Sequence, residues 1–180
     1  LKSAALALFL KRLVAGRRDV QLSAIIASDT TDMGKKSRAT ASTFAESLGI
    51  NCMELSALDG SVTRIAVPAS LDDIAQRMLS QFLFGDADRL ANPSGTALFG
   101  IPVICPFITI PSNELALYWE LAGTRACTRS PSIPPDVQSQ ETVSLLEDYS
   151  RRHPATCYAI LRLSRDISSG REAAVAADAW

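Results

Sequence analysis

Residues 62–90, VTRIAVPASLDDIAQRMLSQFLFGDADRL, decide how the chain is to be folded. Val62 to Val67 is an apolar run of strand length, Pro68 and Ser70 mark a tight turn, and an amphipathic helix follows. Ile74, Met78, Leu79, Phe82 and Leu83 recur three or four residues apart, which predicts one apolar face. The helix is expected to end near Phe84, where Gly85 supplies a left-handed stop. Asp72 and Asp73 lie side by side in its first turn, where carboxylates complement the helix dipole. A strand that enters a helix through a short polar loop is where open α/β sheets hold ligands.

The chain upstream repeats this alternation. Lys2 to Ala15 reads as a helix with Leu6, Phe9, Leu10, Leu13 and Val14 on its buried face and Gly16 as its stop. Val20 to Ala27 reads as a strand covered on both faces. Ser28 to Lys36 is a polar loop, Ser37 to Leu48 a helix stopped by Gly49, and Ile50 to Met53 begins another strand. Helix and strand in turn predict an α/β fold with a mainly parallel sheet. The link from Met53 to Val62 is too short for a parallel crossover, which needs roughly a dozen residues. Either Asp59-Gly60 turns a hairpin, or Glu54 to Leu58 is the tail of a helix ending at Gly60, with residues before it missing or deleted.

Downstream, Leu90 to Gly100 reads as a loop and Ile101 to Phe107 as a short strand. Ser112 is expected to cap a helix over Asn113 to Ala122. Thr124 to Pro135 is irregular, and Asp136 to Arg151 and Pro154 to Ile167 are two further helices. The predicted domains are an α/β unit over 1–125 and a helical C-terminal extension over 126–180 packed on it.

With 180 residues, one well-buried domain is affordable and two are not. A net charge of −1 provides no global field for nucleic acid, so any RNA contact must be a local patch. No apolar run reaches the ~20 residues that span a bilayer, so no membrane partner is expected. A chain opening on Leu1 is expected to lack upstream residues. Cys52, Cys105, Cys127 and Cys157 show no CxxC, and His153 is the single histidine. That spacing predicts reduced thiols in a cytoplasmic protein, no metal ligands, and no Zn or Fe–S site. Cys52 and Cys157 read as small buried hydrophobes.

Leu71-Asp72-Asp73-Ile74-Ala75-Gln76, then Phe84-Gly85-Asp86 and Arg89-Leu90, follow a strand in an order that resembles the PP-loop ATP pyrophosphatase superfamily. That family's pattern here is strand, Gly-His-Asn-x-Asp-Asp, helix, Arg-Gly-Asp, Arg-Leu. Within it the chain is similar to the tRNA-thiolating branch, which makes thiouridine or thiocytidine. The resemblance implies a parallel five-stranded sheet flanked by helices, like adenine nucleotide alpha hydrolases. It also implies a reaction in which ATP adenylates the target base and sulfur displaces AMP.

The family's phosphate loop, Ser-Gly-Gly-x-Asp-Ser, presents backbone N–H groups at a helix N-terminus to the pyrophosphate of ATP. Leu1-Lys2-Ser3-Ala4-Ala5-Leu6 resembles the end of that loop, with Ser3 at the serine and Lys2 at the aspartate that helps hold Mg²⁺. A lysine cannot ligate metal, though it can face phosphate; an ordinary helix start is the plain alternative. Asp29 falls where a family aspartate walls the adenosine pocket, and it equally suits a turn. Pro68-Ala69-Ser70 replaces Gly-His-Asn, while Asp72 and Asp73 remain and can orient a cation or simply complement the dipole. Cys105-Pro106-Phe107 with Glu114 and Tyr118 matches the fourth element, except that Cys105 stands at the basic position. Ser130 takes the place of the sulfur-carrying cysteine, with Cys127 three residues away as a weak substitute. His153-Pro154-Ala155-Thr156 matches the His-Pro-Gly-Thr element and reads as structural or capping. Lys35, Lys36 and Arg38 form a basic strip suited to RNA phosphates or to a solvated helix start.

The replacements fall on positions that do chemistry, and the agreements on positions that build the fold. The expected function is therefore a PP-loop-like protein of tRNA modification with reduced or lost catalysis, binding nucleotide, tRNA or a protein partner. The nucleotide-binding residues would be Lys2, Ser3, Asp29, Ser70, Asp72 and Asp73. ATP with Mg²⁺ is the implied cofactor if binding is retained, and a protein partner or homodimer is compatible. The alternatives are an active ATP-dependent tRNA thiolase and, from another class, a non-enzymatic nucleotide-binding module or interaction scaffold.

Overall fold

The helix at the centre of the sequence forms over Leu71–Leu83 for the expected reasons. Ser70 and Asp73 close a capping box, and Asp72 and Asp73 occupy the positively polarised first turn. Leu71, Ile74, Ala75 and Met78 are its buried face, and Gly85 follows with a φ of 70°. In this computed structural model the described residues are 1–26, 32–55, 58, 60–86, 97–122 and 137–178, with 32–37, 137–140, 168 and 170–178 described by backbone alone. In chain order they form α1 (Lys2–Leu13), β1 (Ser23–Ile26), α2 (Asp32–Ser47), β2 (Asn51–Glu54), β3 (Ile65–Ala66), α3 (Leu71–Leu83), β4 (Ala97–Leu98), β5 (Ile101–Ile104), α4 (Ser112–Leu121), α5 (Val137–Arg152) and α6 (Thr156–Asp178).

The strands among these residues lie in two sheets, not in one parallel five-stranded sheet. β1 pairs in parallel with β2, Ser23 opposite Asn51 and Ile26 opposite Glu54. β3 pairs in parallel with β5, and β4 pairs antiparallel with β5 on its other side. β1 was expected to be covered on both faces, yet Ser23 is exposed and Ala24 to Ile26 are only half-buried. The short link after Met53 is explained by this division. β2 continues through Glu54, so no helix tail occupies Glu54. β2 and β3 belong to different sheets, so no hairpin pairs them and no crossover joins them within one sheet.

β4 lies in a stretch read as loop. Phe99 and Gly100 join it to β5 with φ of 53° and 78°, the doubly positive pattern of a two-residue hairpin turn. Phe-Gly is an unusual pair for that turn, because the left-handed region is costly for a bulky side chain.

Two apolar clusters form the core. One holds Leu71, Ile74, Ala75 and Met78 of α3 against Leu146 of α5 and Cys157 and Leu161 of α6. The other joins Ala5, Leu6 and Leu8 of α1, Phe44 of α2, Phe107, and Leu115 and Trp119 of α4. Edge-on aromatic pairs, Phe9 with Phe107 and Phe44 with Trp119, each 5.6 Å between centroids, lock the second cluster. The expected apolar face of α3 is buried only in part: Phe82 and Leu83 are 66% and 56% exposed. Cys52, expected inside, is exposed. Among the described residues no helix is long and apolar enough to cross a membrane.

Phe99 is 68% exposed, so its side chain contributes little burial to offset its backbone strain. Phe99→Asn should raise the unfolding free energy by about 1 kcal/mol. A denaturant midpoint that stays put or falls would contradict the strained turn.

Candidate functional site

α1, α3 and α4 bring their N-termini together, and the polar side chains between them form one connected network. Lys2, in the first turn of α1, donates from Nζ to both Asp73 carboxylate oxygens at 2.7 Å and to Ser70 Oγ at 2.9 Å. Ser70, fully buried, donates its N–H and its hydroxyl to Asp73 Oδ2 at 2.9 and 2.8 Å. Its Oγ also meets Ser112 Oγ at 2.9 Å. The Ser112 N–H, the first of α4, donates to Asp72 Oδ2 at 2.5 Å. Asp72 Oδ1 accepts the Cys157 thiol at 3.9 Å, and Cys157 also meets Ser150 Oγ at 3.6 Å.

The two neighbouring aspartates therefore do different things. Asp73 caps its own helix, whereas Asp72 reaches across and satisfies an orphan N–H of α4. Ser112 is not the side-chain cap expected from the sequence: Pro111 holds the cap position and makes no side-chain bond. At α1 the first-turn Lys2 supplies the charge that meets Asp73.

Burial works to raise the Asp73 carboxyl, but the Lys2 ammonium and the Ser70 N–H and hydroxyl outweigh it and hold the group below its ordinary value of 3.8. Burial pushes the Cys157 thiol up, against a smaller opposing bond from Ser150, and Asp72 pushes it further. Burial likewise pushes Cys105 up, with the Arg77 guanidinium pulling the other way. Neither thiol is set up as a thiolate nucleophile at neutral pH.

Four of the expected nucleotide-binding residues, Lys2, Ser70, Asp72 and Asp73, are thus brought together where α1 and α3 begin. Ser3 is exposed in the same turn of α1 as Lys2. Asp29 and Cys127 lie outside the described residues. Lys35 and Lys36 lie on α2, and Arg38 is ion-paired with Glu54 of β2. Two participants in the network were not foreseen as site residues: Ser112 and Cys157 join it through packing between distant segments, which leaves no sequence signal.

In sequence the chain matches no protein-family model and no curated protein. In fold it is similar to a U34-tRNA thiolase, NcsA from Methanococcus maripaludis, solved with its 4Fe–4S cluster. The TM-score is 0.79 at 18% identity, over 93% of this chain and 68% of that one. The likeness is one of fold. The α/β architecture resembles that of this thiolase.

That neighbour corrects the expectation of no Fe–S site: a protein of this fold carries a cluster, so the lack of a CxxC does not exclude one. Ligands converge through the fold and need not be close in sequence. In this chain Cys52 lies on β2, Cys105 just beyond β5 and Cys157 on α6. Among the described residues no three His, Cys, Asp or Glu side chains gather where a metal could be held; Cys127 lies outside them. Asp72 and Asp73 do not fit a directly bound Mg²⁺, because all four of their oxygens are engaged by Lys2, Ser70, Ser112 and Cys157.

Two outcomes follow from this geometry. Ser70→Ala should cost about 1–2 kcal/mol of unfolding free energy, since it removes a helix cap and leaves Ser112 a partner short; a change under a few tenths would contradict the network. The folded Asp73 value lies below the unfolded one, so its contribution is complete above the unfolded value and is lost as pH falls through the folded value. Compared with Asp73→Asn, the native chain should therefore lose extra stability on acidification below about pH 4, as followed by thermal melts at stepped pH. Parallel pH curves for the two proteins would remove the Lys2–Asp73 pair from the account.

Proposed function

We propose that the chain is a PP-loop ATPase-like protein of tRNA modification, of the thiolation branch, with reduced or lost catalysis. It acts by binding an adenine nucleotide together with tRNA or a protein partner, in the cytoplasm. The nucleotide site is formed by Lys2, Ser3, Ser70, Asp72 and Asp73, with Asp29 beside the adenosine, and Lys35, Lys36 and Arg38 offer contacts to RNA phosphates. Residues 1–125 form the PP-loop-like domain and 126–180 its helical extension, whose α5 and α6 share a core with α3.

The observation that carries this reading is the convergence of three helix N-termini on Lys2, in a fold similar to a tRNA thiolase. The Lys2 ammonium suits phosphate groups, which would compete with Asp73 for it. Reduced catalysis is supported by the engagement of both aspartates within the chain and by two described thiols held protonated. The neighbour's activity favours the alternative of a working thiolase.

Calorimetry of the chain with ATP, with and without Mg²⁺, should give a saturable heat, weakened about tenfold or more by Lys2→Glu. No heat at millimolar ATP would overturn nucleotide binding. Steady release of AMP and pyrophosphate in the presence of tRNA would favour the working thiolase over the reduced one.

A further inference from the structure

The turn between α5 and α6, bounded by Asp148 and Asp166, gathers arginines on a chain whose charges otherwise nearly cancel. Residues 149–165, YSRRHPATCYAILRLSR, hold four arginines and no carboxylate, whereas the whole chain carries a net −1. Arg151, Arg152, Arg162 and Arg165 are all exposed; Arg151 is engaged by Asp148 at 3.2 Å on the surface. Two tyrosines in the same hairpin are unusually open, Tyr149 at 53% and Tyr158 at 45%.

The aromatic groups are held in place from below. His153 stacks on Tyr149 with centroids 4.6 Å apart and planes tilted by 37°. The His153 N–H donates to the Tyr149 carbonyl at 2.9 Å, and the Thr156 hydroxyl donates to the His153 carbonyl at 2.6 Å. α6 turns Cys157, Leu161 and Ser164 inward, so Tyr158, Arg162 and Arg165, at i, i+4 and i+7, share an exposed face. Neither the ring pair nor this face takes part in the network around Lys2.

We propose that the α5–α6 hairpin, through Tyr149, His153, Tyr158, Arg162 and Arg165, is a docking surface for RNA with unpaired bases. The assignment rests on the tRNA reading above and names a surface that reading does not contain. Guanidinium groups bind phosphates through paired N–H donors. An exposed, pre-positioned aromatic ring gives a splayed base a stacking surface, which a continuous duplex cannot use. An arginine-rich stretch on a near-neutral protein orients a polyanion without attracting it everywhere.

The test uses the full chain, fluorescence anisotropy, a labelled unmodified tRNA transcript, and a blunt RNA duplex of similar length as control. Arg162→Glu with Arg165→Glu should weaken tRNA binding about tenfold or more and reduce the slope of log affinity against log salt by about 2. Tyr149→Ala should weaken tRNA binding about tenfold while leaving the duplex unchanged. Thermal melts establish that each variant is folded, and Arg162→Lys with Arg165→Lys should restore the salt slope. Wild-type binding that neither set of variants alters would overturn the surface and leave the tRNA reading standing. Equal loss on tRNA and duplex, with Tyr149→Ala neutral, would overturn base stacking. A wild-type chain that binds no tRNA at low salt would overturn the tRNA reading itself, and the surface with it, whatever the result with ATP.

Discussion

Lys2 reaching into the N-terminus of α3 is the contact on which the two halves of the core depend. The apolar cluster around α1 and α4 and the one around α3, α5 and α6 have no buried residue in common. They are tied by a polar chain that runs from Lys2 through Asp73 and Ser70 to Ser112, Asp72 and Cys157. Three helix N-termini meeting at one point would place three positive dipole ends and a set of orphan N–H groups together. Two aspartates answer that problem, and a lysine then relieves the repulsion between the aspartates. Ser70 is fully buried inside this arrangement and has its hydrogen-bonding groups met on every side.

That economy also limits what the place can do. Groups recommended as cation ligands are already held by other parts of the chain, so a directly bound metal would have to displace Lys2 or uncap a helix. An anion at Lys2 must in turn compete with the Asp73 carboxylate, which holds that ammonium through both oxygens. The resemblance to PP-loop enzymes joins phosphate recognition with metal-assisted chemistry, and here both meet groups the chain already engages. Shared fold with a tRNA thiolase carries neither by itself, because activity resides in side chains and not in architecture.

Helices were legible in the sequence because their signals are local. The stops at Gly16, Gly49 and Gly85 are realised with φ of 83°, 65° and 70°, and the capping box at Ser70 and Asp73 is contained within four residues. Strands were less legible. β3 is only two residues long, and an apolar run such as Val62 to Val67 does not state how much of itself will find a partner. The β4 hairpin was missed because Phe99 is not a residue that announces a left-handed turn. Periodicity identified the face of α3, but not that α5 and α6 would stop short of Phe82 and Leu83.

What the sequence determined alone was the order of the helices, the adjacency of Asp72 and Asp73, and the Ser70 cap, all set by interactions a few residues long. Tertiary structure decided which oxygen of which aspartate meets Lys2 or the first N–H of α4, partners 71 and 40 residues away. It also decided that Cys157 would enter the network from the far end of the chain. Local pattern fixes which way a side chain points from its own helix; only the packing of one helix against another fixes what it then touches.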